Sequence, residues 1–313
     1  MPTVKILNSQ THGNVPSSLV TGQVAINEFD RKWFYRGNDG LVHTGTIFEQ
    51  LTAPRTLYVR ADGSDNNDGS ANTSGSAFLT IQAAVNAAYR LDFNGNNVTI
   101  QVNAGTYTSP VVTNAPFLNG GQLGGSLLIK GDLTTPSNVV VSTTNNYAFL
   151  FNNQSNVQVG GFKITTSGSG SAIGIFTSSC VQLCGKMEFG AVAWWAFDVE
   201  NNAYCQTSGF AITISGSMLS MIACFGCSEF QTNSGSAWTI SGSPAWGTCG
   251  VDVEQNSYCK LSGSTWTGTA TGTRFICKTG GVIDTGGQAT TWIPGSVAGT
   301  GTNFSASPWG LYV

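Results

Sequence analysis

From Ala148 onward the chain repeats one phrase: apolar residues at alternate positions, a polar corner, a second alternating run and a closing glycine. It reads AFLFNNQSNVQVGG at 148–161, AIGIFTSSCVQLCG at 172–185, AFDVENNAYCQTSG at 196–209, IACFGCSEFQTNSG at 222–235, GVDVEQNSYCKLSG at 250–263 and RFICKTGGVIDTGG at 274–287. The closing glycines 161, 185, 209, 235, 263 and 287 are 24, 24, 26, 28 and 24 residues apart. Self-similarity at such a period means stacked structural units. Alternation at period two means strands with one face buried. A unit of about 24 residues holds three short strands and three bends, and stacked strands lie about 4.8 Å apart. The expected fold is therefore all-β, with the chain wound around a dry axis so that equivalent residues of successive windings lie on top of one another.

Aligning the six phrases gives columns. Phe149, Ile173, Phe197, Ala223, Val251 and Phe275 form one; Phe151, Ile175, Val199, Phe225, Val253 and Cys277 lie two places on. Both are apolar and are expected to point inward. The column between them, Leu150, Gly174, Asp198, Cys224, Asp252 and Ile276, is mixed and is expected to face out. A fourth, Val157, Val181, Cys205, Gln231, Cys259 and Ile283, is apolar except for Gln231, which needs a partner if it points in.

The preceding segments carry other periods. Ile81, Ala84, Val85 and Ala88 recur at i, i+3, i+4 and i+7, predicting a helix with Thr80 as its N-cap. Leu57-Tyr58-Val59 predicts a strand before it, followed by the turn-rich loop Asp62–Ser70. Asp62, Ser64, Asn66 and Asp68 alternate as calcium ligands do, but Thr73 stands where a calcium loop would carry glutamate, so the loop reads as a turn. Val24 and Ile26, then Trp33 and Tyr35, alternate with polar neighbours and predict a hairpin, with Asn38-Asp39-Gly40 as a further turn.

Two of these segments resemble known families. Gly22-Gln23-Val24-Ala25-Ile26-Asn27, followed by Lys32-Trp33-Phe34-Tyr35 and Asp39-Gly40, resembles the N-terminal module of bacteriophage tail fibres and tailspikes, with Gln23 in place of the more usual glutamate. Tyr58-Val59, Gly63-Ser64-Asp65, Asn67-Asp68-Gly69 and Thr80-Ile81-Gln82-Ala83-Ala84-Val85 resemble the entry of pectate-lyase-like right-handed β-helices, where the helix covers the open end of the solenoid. The resemblance implies a right-handed single-stranded parallel β-helix with an N-terminal capping helix and a small N-terminal β-hairpin module. It divides the chain into a virion-attachment module at 1–55, an entry segment at 56–95, the β-helix at 96–287 and a closing segment at 288–313, which ends on Trp309-Gly310-Leu311-Tyr312-Val313. It further implies a virion tail protein made in the host cytoplasm, a parallel homotrimer, partners among tail or baseplate proteins through 1–55, and contact with host surface polysaccharide. No large receptor-binding domain is expected after the solenoid.

Composition narrows the function. Only 9% of residues are charged, against about 25% in an average domain, and 40 of 313 are glycine. Net charge is −3 with no basic stripe, which argues against nucleic-acid binding. No apolar run approaches the roughly 18 residues of a membrane span, and Met1–Lys5 lacks a signal core. With only His12 and His43, little histidine or zinc chemistry is expected, and nothing calls for a cofactor or a metal. The eight cysteines are open to three readings, as core filler, disulfides or metal ligands; Cys205, Cys259 and Cys277 fall in inward columns and favour filler.

Candidate chemistry rests on two features. Asp198 with Glu200, and Asp252 with Glu254, are paired carboxylates two turns apart. They read either as the catalytic acid and base of a polysaccharide depolymerase or as repeat-borne surface residues. Glu188 is a lone acid whose face the alternation does not assign. Tryptophans 194, 195, 238, 246, 266 and 292 concentrate in the solenoid, and Trp238 and Trp266 hold equivalent places. Exposed, these two would stack on sugar rings; otherwise they belong to the core or a subunit interface. Three functions follow: a spike or fibre that adheres to glycan, an enzyme that cleaves it, or a purely structural spike without ligand.

Overall fold

The computed structural model describes residues 6–120, 125–153, 156–232, 235–301 and 310–313. Met1–Lys5 and Trp309 lie outside the described residues. From Val98 the chain winds into a right-handed parallel β-helix of about eight turns. Each turn contributes one strand to each of three sheets. The first sheet begins with Arg55–Val59 and Val98–Val102, the second with Gly105–Tyr107 and the third with Val111–Thr113. All pairing between turns is parallel, so each residue sits above its equivalent one turn back.

The inward columns form one continuous core. In the third sheet Val111, Phe149, Ile173, Phe197, Ile222, Val251 and Phe275 stack, all fully buried. In the first sheet Val157, Val181, Cys205, Phe230, Cys259 and Ile283 do the same. This corrects the sequence alignment at one turn. Ile222 and Cys224 point inward, not Ala223 and Phe225, and Phe230 points inward, not Gln231. The cause is an additional residue between Phe230 and its closing glycine, Gly235. Elsewhere the inward residue lies four positions before that glycine, as Cys205 does before Gly209, so counting back from Gly235 lands one place off. Gln231 faces outward, beside Gln206, and accepts from the Tyr204 hydroxyl at 3.3 Å.

The corners differ in kind. From Phe151 onward the inward residues on either side of the bend between the third and first sheets are six positions apart: Phe151 to Val157, Ile175 to Val181, Val199 to Cys205, Cys224 to Phe230, Val253 to Cys259 and Cys277 to Ile283; in the first turn the equivalent pair, Thr113 and Leu127, is fourteen apart. Two consecutive residues there adopt left-handed backbone, as at Thr177-Ser178, Asn201-Asn202 and Gln255-Asn256. Hydrogen bonds carry the ladder round this bend, for example Ser178 N–H to Asn201 O at 3.0 Å and Asn202 N–H to Gly226 O at 2.9 Å. The bend from the second to the third sheet varies, with eight positions from Ile214 to Ile222 and eleven from Ile240 to Val251.

The closing glycines turn the chain from the first sheet into the second. Gly161 has φ +84°, and a Cβ there would lie 2.8 Å from the Asp132 backbone. Gly161→Ala is therefore expected to lower stability by at least about 1–2 kcal/mol, read as a shift in the urea midpoint.

Both ends of the barrel are covered. Helix α1 (Ile81–Ala88) places Ile81, Ala84, Val85 and Ala88 on the core, and the Thr80 hydroxyl caps it by accepting from Ala83 N–H at 3.2 Å. The loop before it serves this cap: the Asp65 carboxylate accepts from Leu79 and Thr80 N–H at 2.9 and 2.8 Å. At the far end Tyr312 stacks on Phe275 with centroids 4.5 Å apart, and Ile293 is fully buried. The N-terminal module is a four-stranded sheet rather than a lone hairpin. Ile6–Ser9 runs parallel to Val24–Asn27, which pairs antiparallel with Lys32–Arg36 and so on to Val42–Thr46. Leu19, Ala25 and Phe34 make its small separate core.

All eight cysteines are free thiols, and Cys205, Cys224, Cys249, Cys259 and Cys277 are buried. Burial pushes the Cys184 thiol up to about 11 and the Cys224 thiol up to about 12. Cys227 alone is exposed. A thiol reagent is expected to modify one cysteine quickly in the native protein and all eight in denaturant.

Candidate functional site: the outer face of the third sheet

Asp198 lies on the strand Trp195–Glu200, between the inward residues Phe197 and Val199, so parity turns it away from the core as expected. It does not reach solvent, however: the whole residue is buried. The cover comes from the bend before the preceding turns. Tyr147 donates its hydroxyl to Asp198 Oδ2 at 2.9 Å, and the Ser171 hydroxyl donates to the same oxygen at 3.2 Å. The Tyr147 ring can lie along the sheet because Gly174 has no side chain; a Cβ there would stand 2.7 Å from Tyr147 Cδ1.

The other oxygen of Asp198 meets no hydroxyl or N–H. Glu200, two places on along the same strand, brings a second carboxyl beside Asp198. Desolvation, followed by the neighbouring Glu200 charge, pushes Asp198 well above the usual carboxylate range. Two turns on the arrangement recurs. Asp252 is buried, and desolvation and then Glu254 push it above the usual carboxylate range. Here a cation intervenes, since Lys278 Nζ lies 2.8 Å from Glu254 Oε1. The two carboxyls of each pair are neighbours, as the spacing predicts, but the aspartate of each is buried, which the spacing does not reveal.

Trp238 and Trp266 are not on the surface. They stack on the inner side of the second sheet, centroids 4.9 Å apart, in register with Met187 and Ile212. Trp238 is 1% exposed, and Trp266 is half-buried under Trp292 at 5.7 Å. Burial leaves Trp238 no face open to a sugar, and Trp266 is only partly open; their shared register is that of a core column. Trp246 is also buried, its indole N–H on Pro294 O at 2.8 Å. Glu188 lies on the outer side of the second sheet, paired with Lys163 at 2.8 Å.

The aromatics that do surround the carboxyls come from elsewhere. Phe176, Glu200 and Phe225 are register neighbours on the outer face. Tyr147 meets Phe176 edge-on at 5.6 Å, and Trp195 meets Phe225 edge-on at 5.9 Å. Trp194, 37% exposed, lies 5.7 Å from Trp195. Phe225 was placed inward by the slipped alignment, Phe176 ends its strand in register with Glu200, and Tyr147 lies in the bend before its strand, where alternation carries no signal. A groove with half-buried aromatic rings beside carboxyls can pack the apolar faces of a sugar and accept from its hydroxyls.

No family model matches the chain, and no curated protein or solved structure matches it significantly. The fold and this face therefore carry the functional argument. Among the described residues no group of three or more metal-binding side chains comes together, and no helix is long and apolar enough to cross a membrane.

Proposed function

We propose that this protein is a spike or fibre of a bacteriophage tail that holds a host-surface glycan against the outer face of the third sheet. The observation that carries the adhesive role is the row of Tyr147, Phe176, Trp194, Trp195 and Phe225 around the partly exposed carboxyls of Glu200 and Glu254. Attachment through residues 1–55 is supported by their surface. Among the described residues, nine of the fifteen exposed large hydrophobic side chains lie there, including Trp33 and Tyr35, which stack in the open at 5.3 Å. Such a surface suits burial against a partner, a tail or baseplate protein or a second and third copy of this chain. Free thiols throughout suit synthesis in a reducing cytoplasm.

Depolymerisation is the second reading. Glu200 and Glu254 are the solvent-reaching members of the two pairs, about 9.6 Å apart along the axis by strand spacing. That is near the upper end of the separation of about 6.5–9.5 Å used by inverting glycosidases. Incubating the protein with polysaccharide from candidate hosts, and following both retention and new reducing ends, separates the readings. Retention without new ends is the expected result. New ends that vanish in Glu200→Gln would establish the enzyme instead, and no retention by any host polysaccharide would remove the adhesive role.

A further inference from the structure

The outward column next to the Asp198 column alternates in chemistry. Phe176, Glu200 and Phe225 follow one another in strand register, and Glu254 comes next, its N–H bonded to Cys224 O at 3.0 Å. Adjacent strands are about 4.8 Å apart, so ring and carboxyl each recur about every 9.6 Å along the axis. All four side chains are half-buried, held by the sheet yet open on one side.

We infer that the ligand of this face is a linear glycan without acidic groups, lying along the solenoid axis on Phe176, Glu200, Phe225 and Glu254. The inference rests on the proposed glycan-binding role and names the ligand class. A repeat of two strands is on the scale of a disaccharide in an extended chain, so alternate sugars meet alternate chemistry. A ring offers its face to the C–H side of one sugar, and a carboxylate accepts a pair of hydroxyls from the next.

Charge selects against acidic polymers. The cations flanking this face are already engaged: Lys278 lies on Glu254 at 2.8 Å, and Arg274 donates to the Thr291 and Ile293 carbonyls at 2.9 and 2.7 Å. A uronate, sialate or phosphate laid on the stripe would meet the Glu200 carboxylate with no free cation to offset it. Neutral sugars, and sugars bearing free amines, meet no such barrier.

The test is an array of bacterial surface polysaccharides with neutral, amine-bearing and acidic repeats, probed with the full chain at low and high salt. Retained glycans are expected to be neutral or amine-bearing, with neutral ones insensitive to salt. Phe176→Ala and Phe225→Ala are each expected to weaken binding about 3- to 10-fold. Phe176→Leu, which keeps apolar bulk but loses the flat face, should weaken it in the same direction. Glu200→Lys should admit acidic repeats that the wild type rejects. Retention of acidic repeats by the wild type, or binding unchanged in both phenylalanine-to-alanine variants, overturns the inference while leaving glycan adhesion standing. No retention of any glycan removes the adhesive role and this inference with it.

Discussion

The wild-type protein is expected to lose stability steadily as the pH rises from about 5 to about 8, the opposite of ordinary acid denaturation. In the unfolded chain the side chains of Asp198 and Asp252 ionise near pH 4. In the folded chain desolvation and the adjacent glutamates raise both well above that, so they keep their protons to higher pH. Between those limits the unfolded state binds fewer protons than the folded one, so stability falls with rising pH. The slope is about 1.4 kcal/mol per pH unit for each carboxyl that keeps its proton. It fades as the two carboxyls ionise in the folded state. Asp198→Asn and Asp252→Asn have no such proton to retain, and in the first the amide oxygen still accepts from Tyr147 and Ser171. Each is expected to flatten the slope and to be more stable than wild type near pH 8. Urea midpoints followed by circular dichroism across the pH series provide the measurement. A flat wild-type profile would mean that both aspartates ionise inside the fold.

Phe197→Ala should have the largest effect of any single core truncation on the third sheet. Its ring is fully buried and joins all three walls: Phe189 of the second sheet at 5.0 Å, Phe230 of the first at 5.2 Å and Trp238 of the second at 6.3 Å. Removing it opens a void that stacked neighbours on fixed ladders cannot fill. The expected loss is about 3–5 kcal/mol, measured by urea unfolding at constant pH. Thr239→Ala, on the outer side of the second sheet, serves as the control and should change little.

The solenoid was legible because its signal is repeated. Phe149, Ile173 and Phe197 announce one column three times at a constant interval, and the parity of a strand leaves no freedom once one residue is placed. The same logic failed where the register was carried by a glycine rather than by the strand. A single added residue before Gly235 moved Ala223, Phe225 and Gln231 to the wrong side. The helix and its Thr80 cap were readable because both rest on local chemistry. The site was half readable. Parity put Asp198 and Glu200 on one face, but burial of Asp198 depends on Tyr147, 51 positions earlier, and on the bare backbone of Gly174. Trp238 and Trp266 misled for a related reason: equivalence between turns marks a column and does not say which side of the wall it occupies.

The unequal corners divide the molecule into a rigid seam and a permissive one. From Phe151 onward the bend of constant length, with paired left-handed residues, is tied by hydrogen bonds to both neighbouring turns, and a change of spacing there would break them. The bend from the second to the third sheet already differs by three positions between adjacent turns, so divergence and engineering alike have room there. Grafted peptides belong between Ile240 and Val251, where the chain itself has accepted a detour, while duplication of whole turns would leave the seam intact and simply lengthen the shaft.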